Sequence, residues 1–145
     1  SRFAKIPFLF GSWGNSMVIS NLVTSAGHAG VASRINGAGG EAAFTFIAIG
    51  TGVVAAAIGD TALGAEITTG GGGRAAATAS RVTTDVANDT AQDLLTFTFT
   101  LSFAVTESGV FNAVAAGVLL ARQVFAAINV VSGDSLQVTW KFDVD

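Results

Sequence analysis

From Leu95 to Val105 the chain alternates apolar and polar positions without a break. Leu95, Phe97, Phe99, Leu101, Phe103 and Val105 fall on one face; Thr96, Thr98, Thr100, Ser102 and Thr106 fall on the other. A period of two predicts one long, half-buried strand whose polar face carries hydroxyls rather than charges. The same period returns at the C-terminus, with Leu136, Val138, Trp140, Phe142 and Val144 on one face and Gln137, Thr139, Lys141, Asp143 and Asp145 on the other. "AAFTFIAIGTG", residues 42–52, places Phe44, Phe46 and Ala48 opposite Ile47 and Ile49, which predicts a strand buried on both sides and broken by Gly50 and Gly52. "VLLARQVFAAINVV" is apolar throughout; its β-branched ends and the "SGD" turn at 132–134 favour one strand or two short ones. The segment "VVAAAIGDTALGAEI" is the one stretch compatible with a helix, with Asp60 or Thr61 capping a short turn that ends at Gly64. "TTGGGGR" predicts a flexible loop, followed by a weak strand over Ala75–Val86 and a turn at "ANDT". The count is about six to eight strands at sandwich-like spacing. The expected fold is all-β, an antiparallel β-sandwich with the jelly roll as a candidate connectivity.

The pattern changes near Gly40. Residues 1–40 show no sustained period: an aromatic segment, "SRFAKIPFLFGSWGNSM", precedes a small-residue run, "TSAGHAGVASRINGAGG". This divides the chain into an extended N-terminal arm, 1–40, and a β-sandwich domain, 41–145. Phe3, Phe8, Phe10 and Trp13 are costly to leave in water. Either they pack back on their own core, or they are partner-binding anchors on an arm laid over a neighbouring subunit.

Composition bears on the surface. Half the residues are hydrophobic and 12% are charged, about half the usual charged share. Two surfaces fit: one covered by other subunits, as in a homo-oligomer (dimer or trimer), or one made neutral by Thr, Ser, Asn and Gly. The threonine face of 95–105 divides the same way, into a protein contact or a solvated outer face. With 11 Phe and no Tyr the core is expected to be dry. A net charge of −3 gives no reason to expect a nucleic-acid partner. No run of 18 apolar residues occurs, so no membrane-spanning helix is expected.

Candidate chemistry is sparse. Cysteine is absent and His28 is the single histidine, so no thiolate or histidine metal cluster can form. "TTGGGGR" lacks the Lys-Ser/Thr of a phosphate-binding loop, and the dinucleotide spacing is missing. Asp60, Glu66, Asp85, Asp89, Asp93 and Glu107 are scattered, with no facing pair evident. Asp85, Asn88, Asp89 and Asp93 lack EF-hand spacing and read better as a turn than as a calcium site. "TESGV" is not a nucleophile elbow. The expectation is a non-enzymatic protein with no catalytic residues, no cofactor and no metal.

Four pieces, "IAIGTG", "TESGVFNA", "LLARQVF" and "GDSLQVTWK", together with "DTALGAEI", occur in an order that resembles small virion structural proteins of tailed bacteriophages. The resemblance spans about residues 44–145 and does not reach the arm. It implies a structural role in the particle, made in the host bacterial cytoplasm. A capsid decoration (cement) protein on the capsid exterior, bound to the major capsid protein or other virion proteins and clamping capsomers, is the first expectation. A tail, baseplate or fibre-anchoring protein is the second, and a carbohydrate-binding β-sandwich module the third.

Overall fold

The computed structural model describes residues 2–10 and 22–144, with 3–10 as backbone. In chain order the elements are β1 (Phe3–Phe10), β2 (Leu22–Val23), α1 (Ser25–Asn36), β3 (Phe46–Gly50), β4 (Ala75–Ala76), β5 (Thr78–Val82), β6 (Thr90–Thr98), β7 (Phe103–Phe111), β8 (Leu119–Val130) and β9 (Ser135–Asp143). They form two sheets, β1-β9-β6-β5 and β2-β8-β7-β3-β4. Every strand pairing is antiparallel except β1 with β9. The molecule is an all-β sandwich, as the period-two stretches imply. β5–β6 and β7–β8 are neighbours within one sheet, and the chain crosses between sheets after β6 and after β8.

The core lies where alternation places it. Phe97 from β6 and Leu136, Val138 and Trp140 from β9 meet Ile47 and Ile49 from β3 and Val105 and Val110 from β7. Phe97 and Phe99 stack with ring centroids 6.5 Å apart. The opposite face of the five-stranded sheet has a smaller core of Ala48, Leu63, Phe111 and Leu119, with Phe46 against it. Leu63 belongs to the connection between β3 and β4, so that connection is a cover over the sheet. On the outside of the four-stranded sheet, Thr96 and Thr98 are exposed. There the Thr98 and Ser135 hydroxyls lie 3.2 Å apart, and Gln137 donates to Thr96 across the strand pair.

Two expectations are corrected. The strand expected over 95–105 is two strands, split where the chain crosses between sheets. Phe99 N–H donates to the Asp134 carbonyl at 2.9 Å, Gly133 N–H to Phe99 at 2.8 Å, and Thr100 N–H to Gly70 at 2.8 Å. The two crossings therefore hold each other, and Leu101, expected on the strand's apolar face, is 52% exposed at the bend.

The helix is the second correction. It lies at 25–36, in the small-residue run, while residues 53–66 are a loop apart from one isolated bridge at Glu66. Thr24 caps its start, accepting from Gly27 N–H at 2.9 Å, and Gly37 ends it with φ 79°. Gly27 and Gly30 supply contact rather than flexibility: a Cβ at Gly27 would strike the Leu120 carbonyl, and one at Gly30 would strike the Phe44 ring.

In the described part of residues 1–40, β1 runs along β9 from Phe3 opposite Ser135 to Phe10 opposite Phe142, and α1 lies against β8.

Candidate functional site

The residue that organises the surface is Glu107, a charge inside an apolar strand. A bulge between Val105 and Glu107 turns its side chain out of the inter-sheet core and under the 51–66 loop. Its carboxylate is fully buried and fully used. Oε1 accepts from Gly64 N–H at 2.8 Å and from Arg122 Nε at 3.0 Å. Oε2 accepts from Gly52 N–H at 2.7 Å and from Ala65 N–H at 2.7 Å. Burial acts to raise its pKa, but the N–H groups of Ala65, Gly64 and Gly52 and the Arg122 guanidinium together hold it below the usual carboxylate range.

Arg122 carries the tie outward. Its Nη1 donates to Asp60 Oδ2 at 2.8 Å and its Nη2 to the Val54 carbonyl at 2.8 Å. Asp60 Oδ2 also accepts from Ala57 N–H at 2.9 Å. Gly50 and Gly52 are glycine because a Cβ at either would occupy the space of the Glu107 carboxylate. A second clamp lies beside the first. Arg74 pairs with Glu66 through Nη2 at 2.7 Å and Nε at 3.0 Å, donates to the carbonyls of Ala113 and Ala116, and lies 3.5 Å over the Phe111 ring.

The stapled loop turns apolar side chains toward solvent. Val53 is 73% exposed, Val54 74% and Ile58 58%. The Ile58 carbonyl accepts from Ser25 N–H at 2.8 Å, which ties the loop tip to the start of α1. An apolar tip on a firmly held backbone suits docking, because little order remains to be imposed when a partner arrives.

Comparison with protein-family models, curated proteins and solved structures finds no match.

The pieces that carry the sequence resemblance meet at this place. "IAIGTG" supplies Gly50 and Gly52, "DTALGAEI" Asp60, Gly64, Ala65 and Glu66, "TESGVFNA" Glu107 and Phe111, and "LLARQVF" Arg122. "GDSLQVTWK" lies elsewhere: its Asp134 closes the crossing into β9, accepting from Val131 N–H at 2.9 Å and from Arg2 N–H at 2.8 Å.

Other residues singled out in the sequence fall apart in space or into structural tasks. Phe3, Phe8 and Phe10 lie on β1; Trp13 lies outside the described residues. The four-glycine stretch is a turn packed on the β6–β7 connection, where Gly71 has φ 83° and a Cβ would meet the Thr98 carbonyl. Asp89 closes the 83–89 turn by accepting from the N–H groups of Val86, Asp85 and Thr84 at 2.7–2.8 Å. Those bonds, with that of Val86 foremost, hold its carboxyl far below the usual range. The carboxylates of Asp85, Asp89 and Asp143 approach within 4.8 Å of one another. Asp93, grouped with Asp85 and Asp89 in the sequence, instead faces the space between the sheets. His28 sits on α1 with Nδ1 3.0 Å from the Thr24 carbonyl.

Proposed function

We propose that this chain is a non-enzymatic structural subunit of a tailed-bacteriophage virion, a decoration protein that binds the outer capsid shell and stabilises contacts between capsomers. The observation that carries the reading is the rigid apolar tip Val53–Val54–Ile58, held by the buried Glu107–Arg122–Asp60 tie. Four of the five segments that resemble virion structural proteins supply residues to the tie, which links the resemblance to a physical task. Low surface charge fits a subunit that spends its working life against other proteins.

A tail or baseplate position is the second reading, and copy number separates the two. Hundreds of copies per purified particle fit the capsid; six, twelve or a small multiple of three fit the tail. A carbohydrate-binding module ranks third, since among the described residues the large exposed apolar side chains are Val, Ile and Leu, with no aromatic platform.

The direct test is rebinding to particles that lack the protein. Val53→Asp with Val54→Asp should melt like the parent and bind at least tenfold more weakly. A variant that melts normally and binds with unchanged affinity removes the loop from the contact.

A further inference from the structure

The two sheets part at the end of the sandwich nearest α1. Ala79 of β5 and Ala91 of β6 share the core-facing side with Asp93, Trp140 and Phe142, as their register requires. Yet both alanines are exposed. The space before them is a cleft of about 460 Å³, within the range of about 300–1,000 Å³ that small-ligand sites occupy. Among the described residues its walls are mainly apolar, with Val31, Phe44, Ala79, Ala91 and Phe142 among them. Asp93 lies on its floor, 7% exposed, and no group among the described residues hydrogen-bonds or ion-pairs with its carboxylate.

Among the described residues nothing neutralises the Asp93 carboxylate, so its charge is left to whatever enters the cleft. Elsewhere in this chain the opposite holds: the Glu107, Asp89 and Asp134 carboxylates each accept several bonds. We propose that this cleft binds a small apolar amine, an aryl- or alkyl-ammonium whose body fills the apolar walls and whose cationic head meets Asp93. The wall chemistry fixes the body and the negative floor fixes the head; an anionic ligand would meet Asp93 and Asp143 unfavourably.

The other charged groups facing the cleft are His28 and Arg34 from α1 and Asp143 from β9. Arg81 of β5 stands on the same sheet face, opposite Ala91. His28, Arg34 and Arg81 are exposed and remain hydrated, and Asp143 follows Phe142 in β9 and so alternates away from the side that carries Ala91 and Asp93; Asp93 is therefore the group that a desolvated head meets. Burial raises the Asp93 pKa to about 7, so the site is charged above neutrality and largely protonated below it.

The test uses the full chain, 2-phenylethylamine as probe and 2-phenylethanol as its neutral counterpart, followed by amide NMR at pH 8. The amine should shift resonances of Ala79, Ala91, Asp93 and Phe142. Both the alcohol with the parent protein and the amine with Asp93→Asn should bind at least tenfold more weakly, and lowering the pH to 6 should weaken amine binding to the parent. Asp93→Asn keeps the shape and removes the buried charge, so its melting temperature should not fall. No shift at these residues overturns the proposal, as does equal binding of the alcohol or of Asp93→Asn. Val53→Asp with Val54→Asp should bind the amine unchanged, so failure here stands apart from failure of the docking loop.

Discussion

Trp140 of β9 donates its indole N–H to Ser108 Oγ of β7, 3.1 Å away, across the space between the sheets. Ser108 passes the bond on, donating to the Ala48 carbonyl of β3 at 2.8 Å. A dry core can hold an indole only if its N–H finds a partner, and one serine serves both sheets. Ser108→Ala leaves the indole N–H unmatched and should cost about 1–3 kcal/mol. Trp140→Ala removes the ring as well and should cost about 3–5 kcal/mol. Denaturant melts of the two variants check both values; a Ser108→Ala loss near zero would mean that the bond contributes nothing net.

Glu107→Gln keeps the size of the side chain but replaces an acceptor-only carboxylate with an amide. Three backbone N–H groups and Arg122 then have one carbonyl oxygen between them, and the amide N–H₂ points at two of these donors. Breaking a buried pair from one side costs about 3–5 kcal/mol, and that is the expected loss. Replacing Glu107 and Arg122 together by Leu and Met should not restore stability, because the N–H groups of Gly52, Gly64 and Ala65 would remain without acceptors. Limited proteolysis should cut both variants within residues 53–60 before the parent is cut there.

Gly27→Ala should cost about 1–3 kcal/mol although alanine favours helix, because its methyl would be driven into the Leu120 carbonyl. Thr24→Ala should cost about 0.5–2 kcal/mol through loss of the cap to Gly27 N–H. An alanine at Gly27 that stabilises the protein would show that α1 does not lie against β8 as described.

These two positions also explain what the sequence concealed. The buried face of α1 is Gly27, Gly30 and Ser33, while Val31 borders the open cleft and Ile35 points outward. A helix that docks by glycine contact has no apolar stripe to read, so its segment resembled a linker. The break after Thr98 was hidden for the opposite reason: Phe99 and Leu101 continue the alternation through a bend that is set by Asp134 and Gly70, both distant in sequence. β6 and β9 were legible because each has one wet and one dry face. The Glu107 tie joins positions 15, 42, 43 and 55 residues apart, beyond any local period. Its one local signal was a lone Glu in "TESGVF" and a lone Arg in "LLARQVF", charges in runs too apolar to face water.

Stability should peak at mildly acidic pH, and two buried carboxylates set the limits. Asp93 has its pKa raised to about 7 by burial. Its folded form holds the proton more tightly than the unfolded chain does. Its contribution is therefore complete below the ordinary aspartate value of about 3.9 and is lost as the pH climbs toward 7. Glu107 has its pKa lowered, so its contribution is complete above the ordinary glutamate value of about 4.3 and is lost as the pH falls below it. The melting temperature should rise from pH 3 to a maximum at about pH 4–5, then decline to about pH 7 and level off. Asp93→Asn should abolish the decline while leaving the acid limb in place, which makes the variant more stable than the parent at pH 8. A parent protein whose melting temperature stays constant or rises between pH 5 and 7 would show that Asp93 is solvated or paired in solution.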